Sequence, residues 1–284
     1  MMGRRQGTWA AALIGAFAVT GGCVSARAQD RTPPCGGEEI VRATVGRVSD
    51  GRTVTLADGR EVRLAAIEVP LLPPPQESNH DSDAAPGGMA AKNALDALAG
   101  GDEVVLRRAQ TAADRYGRIV AYAYTVRDGD EFFVQGEMIA DGFARVGDQV
   151  GSRACAAALL AHENAARKAK LGLWADPYYD LIDAETPAAV LAHKGQFALV
   201  VGNVVSVHIS GATIYVNFGR HWSEDFAVTV RKRNERTFAA AGLALQGLAG
   251  RRVIVRGFIE GRGAQGSPSI EATRPEQIET ADRE

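Results

Sequence analysis

The chain has 284 residues, of which 46% are hydrophobic and 6% aromatic. That apolar content suffices for one large core or two small ones and excludes a disordered chain. Its formal net charge is −2, but the balance is uneven: residues 29–186 hold 17 basic and 25 acidic groups, and residues 187–284 hold 12 and 9. Any electrostatic attraction for nucleic acid is therefore expected from the second half.

The opening residues, MMGRRQGTWAAALIGAFAVTGGCVSARAQD, place Arg4 and Arg5 before an apolar run of about a dozen residues and the small-residue site Ala26-Arg27-Ala28. This predicts a secretory signal peptide over 1–28 and a secreted, periplasmic protein. The run is shorter than the ~20 residues of a spanning helix, and no later segment is longer and as apolar, so no membrane span is expected. TGGC offers a competing reading, a lipoprotein anchored at Cys23. With Cys23 gone, Cys35 and Cys155 remain as an even pair in an oxidising compartment and are expected to form one disulfide. Two distant cysteines and five scattered histidines lack the spacing of a zinc site.

After an extension over 29–39, residues 40–70 read as three strands: Ile40 to Val48, Thr53 to Ala57 and Glu61 to Val69. Asp-Gly pairs at 50–51 and 58–59 mark tight hairpins. Residues 72–88, rich in Pro, Asp, Ser and Gly, predict a long exposed loop. Met89 to Leu98 reads as a helix stopped by Gly100-Gly101. Strands follow at Glu103 to Arg108 and Arg118 to Arg127, then helices at Val134 to Asp141 and Arg153 to Leu171. Thr186-Pro187 marks an expected boundary between a first domain, 40–186, and a second, 187–284. The second reads as strands at Phe197 to His208, Ala212 to Phe218 and Asp225 to Val230, a helix from about Asn234 to Gly247, then strands at Arg252 to Glu260 and Ser269 to Ala272. Three strands, a helix and two strands is the order of an OB barrel. The expected fold class is mainly β with helices (α+β), with two such barrels in sequence.

VSDGRTVTL, RLAAIEVP, DRYGRIVAY and a helix ending ARKAKLGLW occur in that order over about Ala43 to Trp174. Together they resemble the staphylococcal-type thermonuclease family. The resemblance implies an OB barrel with three helices and calcium-dependent phosphodiester hydrolysis: two aspartates and a carbonyl on the ion, a glutamate base, and two arginines on the phosphate. A divalent cation offsets charge on the phosphoryl oxygens, and an arginine fork bonds two of those oxygens at once.

By that resemblance the two arginines fall on Arg63 and Arg118. The first metal aspartate falls on Arg52, the second on Glu68, and the base on Leu71. Glu68 with nearby Asp50 could still attract a cation, but two unit charges ~4 Å apart repel by about 4 kcal/mol at an effective dielectric near 20, so Arg52 argues against metal there. Loss of the base alone forfeits roughly 10²- to 10⁴-fold in rate. What remains is an expected metal-free anion site of Arg52, Arg63 and Arg118, with Tyr116 beside it. The competing reading makes Arg52 a solvated turn residue paired with Glu68. Glu77, His80, Asp81 and Asp83 in the loop are a further source of acid–base groups.

In the second domain, Tyr215, Phe218, Trp222 and Phe226 precede the basic run Arg231 to Arg236. Aromatics on a strand face beside arginines are how OB barrels stack single-stranded nucleic acid, which makes Trp222, Arg231 and Arg233 candidates. The plainer reading puts Phe218 and Phe226 in the core. NFGRHWSEDF and PEQIE resemble the accessory domain that follows the nuclease domain in some secreted bacterial thermonuclease-like proteins. The expected function is binding of single-stranded nucleic acid, nucleotides or another phosphorylated or protein partner, without efficient hydrolysis and without a cofactor. The alternatives are a calcium-dependent nuclease using Glu68 or a loop carboxylate, and a structural module that meets an envelope protein.

Overall fold

Hairpin chemistry sets the start of the first barrel. The computed structural model describes residues 35–72, 85–263 and 266–281. The predicted signal peptide, Cys23 and the loop groups Glu77, His80, Asp81 and Asp83 lie outside the described residues. Strand β1 (Glu39–Asp50) turns at Asp50-Gly51 into β2 (Thr53–Leu56), and β2 turns at Asp58-Gly59 into β3 (Glu61–Leu64). Gly59 takes the positive φ that its turn needs.

The third strand stops earlier than its apolar run suggests. Ala66 is left-handed, φ 64°, a conformation that costs an L-residue roughly 1–2 kcal/mol. Fully buried Gln135 compensates for the break: its amide donates to Ala121 O at 3.1 Å and its oxygen accepts from Ala123 N at 3.1 Å. The break redirects Ile67 and Glu68 into a two-residue strand, β4 (Ile67–Glu68), away from the barrel wall.

Beyond the loop, helix α1 (Gly88–Ala99) precedes β5 (Glu103–Ala113), β6 (Ile119–Arg127) and β7 (Asp130–Phe133). Both Asp128 (φ 52°) and Gly129 (φ 84°) are left-handed, as a two-residue hairpin of type I′ requires. Helix α2 (Val134–Ala140), β8 (Arg145–Val146), which pairs with β4, and helix α3 (Arg153–Lys168) complete this half. Ser152 caps α3 by accepting from Cys155 N at 3.1 Å, and Arg167 and Lys168 complement its carbonyl end. Antiparallel pairings β1–β2, β2–β3, β1–β5 and β5–β6, with the parallel pair β3–β6, close a five-stranded barrel.

The chain continues through β9 (Ile182–Asp183) and the short α4 (Pro187–Ala192), which the sequence reading missed, into β10 (Phe197–Asn203) and β11 (Ser206–Ser210). These two strands divide the single run expected from Phe197 to His208. After β12 (Thr213–Asn217) and β13 (Ala227–Arg231) the expected long helix is only α5 (Glu235–Ala240). Gly242, at φ 82°, ends it, and Leu245–Leu248 is a separate 3-10 turn. Strands β14 (Arg252–Phe258), β15 (Glu260–Arg262), β16 (Ser267–Glu271) and β17 (Ile278–Thr280) follow. Pairings β11–β12–β13, parallel β13–β16, β16–β15 and β14–β10 repeat the strand order and the parallel closure of the first barrel.

Strand β10 explains its own sequence. Ala198 and Val200 point into the second barrel's core, whereas Phe197, Leu199 and Val201 pack with Leu173, Trp174 and Tyr179 in a cluster shared with the first half. Burial on both faces is why FALVV is continuously apolar rather than alternating. Among the described residues no helix is long and apolar enough to cross a membrane.

Candidate functional site

Barrel closure creates the site. In the parallel pair β3–β6, Val62 lies opposite Ile119 and Arg63 opposite Val120, while Thr53 flanks Arg63 on β2. Arg118, the residue before Ile119, is thereby delivered beside Arg63, although the two are 55 positions apart in the chain. The DRYGR turn is held by Asp114, whose carboxylate accepts from Tyr116 N (2.9 Å) and Arg118 N (3.1 Å) and from Arg118 Nε at 2.7 Å. Tyr116 is 68% exposed, with the guanidinium groups of Arg115 and Arg118 at 4.9 and 5.2 Å from its ring centre. Both guanidinium groups are within cation–π range of this exposed ring.

Arg52 is not a solvated turn residue. Its backbone N–H donates to Asp50 Oδ1 at 2.8 Å, and its guanidinium forms a largely buried ion pair with Glu68. The pairing half of the competing reading matches this geometry; its solvation half does not. Burial raises the Glu68 carboxyl above its ordinary value, against the opposing charges of Arg52, Arg63 and Arg145. Arg63 sits differently. Its nearest carboxylate among the described residues is Glu68 at 4.0 Å. Burial, then the neighbouring charge of Arg52 and more weakly that of Arg118, pull its guanidinium below the ordinary value.

A cation would have to share this place with Arg52. Glu68 already spends its charge on that guanidinium, Asp50 is engaged in the turn, and among the described residues no three His, Cys, Asp or Glu groups converge on a metal position. The side chains present do not suit calcium. Leu71, at the position that resemblance gives to the base, is 67% exposed and has no acid–base chemistry.

The sequence reading missed the far wall. A cavity of about 190 Å³ is lined by Arg63, Glu68 and Asp114 from the barrel and by Asp148 and Gln149 from the segment before α3. Burial raises the Asp148 carboxyl, opposed by Arg63 and Arg52. Only a carboxylate following Gly147 in a glycine-bounded loop, GDQVG, signals it in sequence. With its folded value above its unfolded one, Asp148 contributes stability that is complete below the unfolded value and lost as pH rises through the folded value. Chemical denaturation of Asp148→Asn and wild type at pH 4 and pH 8 should therefore show the variant gaining on wild type at the higher pH. An unchanged difference between the two pH values would refute this.

In the second barrel Phe218 and Phe226 are core residues, as the plainer reading has it. Trp222 lies in the loop between β12 and β13, whereas Thr213↔Arg231 is the opposite end of that hairpin. Arg231 is paired with Glu271 at 2.9 Å, and exposed Arg233 follows it. Trp222, Arg231 and Arg233 therefore do not form one site.

Residues 61–176 match the family model described as staphylococcal nuclease homologue. The first barrel carries a staphylococcal nuclease-homologue domain. The match runs from β3 through α3 and contains Arg63, Glu68, Leu71, Arg118 and Asp148, while Arg52 lies just ahead of it. No curated protein matches the chain. Cys35, ahead of the matched residues, and Cys155, among them, form the disulfide that the sequence predicts.

Proposed function

We propose that the nuclease-homologue domain binds the phosphates of single-stranded nucleic acid or nucleotides, without metal and without efficient hydrolysis, in a secreted, periplasmic protein. The observation that carries this reading is the Arg52–Glu68 ion pair. It puts a guanidinium, not a metal ion, on Glu68, and leaves Arg63 beside the guanidinium groups of Arg52 and Arg118 with only the already paired Glu68 carboxylate, at 4.0 Å, as its nearest described acid. A phosphate relieves that crowding, because an anion between Arg63 and Arg118 gains charge-assisted hydrogen bonds from both. Exposed Tyr116 offers a face for the adjoining base. The disulfide is compatible with secretion into an oxidising compartment.

Fluorescence anisotropy with labelled single-stranded DNA and RNA at low salt tests the proposal. Wild type should bind equally with calcium or chelator, and Arg63→Ala/Arg118→Ala should bind about 10- to 100-fold more weakly. The salt slope should fall by about 0.7 for each phosphate that the double variant no longer neutralises. Undiminished binding by the double variant would sink the proposal. Calcium-dependent cleavage abolished in Glu68→Ala would instead establish the nuclease alternative.

A further inference from the structure

We propose a second, independent binding site on the outer face of the second barrel, built to stack the bases of single-stranded nucleic acid on Trp222 and on the paired rings of His208 and Tyr215. Pleating produces the platform. Ile214 and Val216 of β12 point into the core, so Tyr215 between them points outward, and antiparallel register places His208 of β11 directly opposite it. Their rings lie 5.1 Å apart and nearly parallel, at 14°. At that separation the rings stack on one another rather than lie side by side, which leaves the outer face of the exposed His208 ring for a planar base.

Trp222 extends this surface and is 71% exposed. An indole left in water on a loose loop would signify little, but this loop is pinned. Asp225 accepts from His221 N at 2.7 Å, Arg262 donates to Trp222 O at 2.8 Å, and the Ser267 hydroxyl bonds Ser223 O. The loop therefore holds Trp222 outward in a defined place, which reduces the ordering cost of binding.

Charge selects the class of ligand. The cavity between Trp222, Tyr215 and Arg262, about 700 Å³, adjoins a second of about 520 Å³ that reaches Arg220. The two share His208, Ser210 and Trp222, so together they form a groove rather than a closed pocket. None of the described lining residues is acidic. Asp225 is turned into its own loop, and exposed Glu224 of the same loop lies outside the lining. Arg262 has no carboxylate partner among the described residues; it sits 5.5 Å from the Tyr215 ring centre, and its buried Nε lacks a hydrogen-bond partner. Neutral sugars also stack on indoles, but their hydroxyl donors call for carboxylate acceptors, which this groove lacks. Aromatic faces with two arginines and no acid fit a chain of bases and phosphates.

The site does not depend on the arginine cluster of the first barrel, and its test keeps the two apart. Titration of the protein with unlabelled oligo(dT) should quench tryptophan fluorescence through Trp222. That quench should be absent in Trp222→Ala and retained in Arg63→Ala/Arg118→Ala. Added to Arg63→Ala/Arg118→Ala, which removes the first-barrel site, Trp222→Ala should weaken the remaining oligonucleotide binding about 10- to 100-fold. His208→Ala should weaken it less and leave the quench in place. Dextran sulfate should compete without quenching, because it carries charge but no bases. An equal quench by dextran sulfate, a quench by cellohexaose, or an affinity that Trp222→Ala leaves unchanged in the Arg63→Ala/Arg118→Ala background would each overturn the proposal.

Discussion

Replacing Arg256 with alanine is expected to cost about 3–5 kcal/mol of folding stability, the range for removing one partner of a buried ion pair. Arg256 lies on β14, on the face turned away from its own barrel, and its side chain is fully buried. It bonds Glu163 of α3 at 3.1 and 2.7 Å, and also reaches Val146 O at 3.1 Å and Glu279. Burial opposes its charge, but Glu163 and Glu279 outweigh burial and hold the guanidinium above its ordinary value. Alanine would leave the Glu163 carboxylate in the interior with only the Val146 N–H, at 2.7 Å, as a partner. Urea denaturation measures the loss, and a cost under about 1 kcal/mol would show that the network is dispensable. Replacing all three charges by apolar side chains of similar volume should cost far less than the single change, because the penalty comes from the stranded carboxylates. The network ties the nuclease-homologue domain to the second barrel at one point, beside the apolar cluster of Leu173, Trp174, Phe197 and Ile254.

Removing the disulfide, as Cys35→Ala/Cys155→Ala, is the other change expected to have a large effect. The bond spans 120 residues. Loop-closure entropy for that length corresponds to about 5 kcal/mol, and losses in practice run at about 2–5 kcal/mol. Its effect on the site is local. Cys155 lies in the first turn of α3, next to the segment that carries Asp148 and Gln149, and Gly151 N in that segment is held by the Tyr122 hydroxyl at 3.0 Å. At the other end, Cys35 O accepts from the Tyr124 hydroxyl at 2.7 Å. Reduction should therefore lower the thermal midpoint and weaken oligonucleotide binding at the arginine site, while leaving the Trp222 quench. Two free thiols in the oxidised protein, or a midpoint unmoved by reductant, would contradict this.

Much of the barrel is legible in sequence because its determinants are local. Asp-Gly turns at 50–51, 58–59 and 128–129 set the hairpins, and alternating side chains set which face is buried. Gly100-Gly101 and Gly142 end helices where glycine does so at least steric cost. The failures are long-range. The left-handed break at Ala66 exists because Gln135, about 70 residues on, offers the amide that satisfies the interrupted backbone. The predicted helix from Asn234 to Gly247 fails at Gly242, where a left-handed residue overrides an alanine-rich pattern.

For the candidate sites the same division holds. The residue types at 52, 63, 68, 71 and 118 and their spacing follow from the amino-acid order alone; that 52 and 71 are the places of a metal aspartate and a base is what the family resemblance implies. That Arg52 bonds Glu68, that Asp148 lines the same cavity as Arg63, and that His208 and Tyr215 stack beside Trp222 were decided by tertiary structure. These groups are distant in sequence, and only closure of each barrel through its parallel strand pair brings their charges and rings within interaction distance.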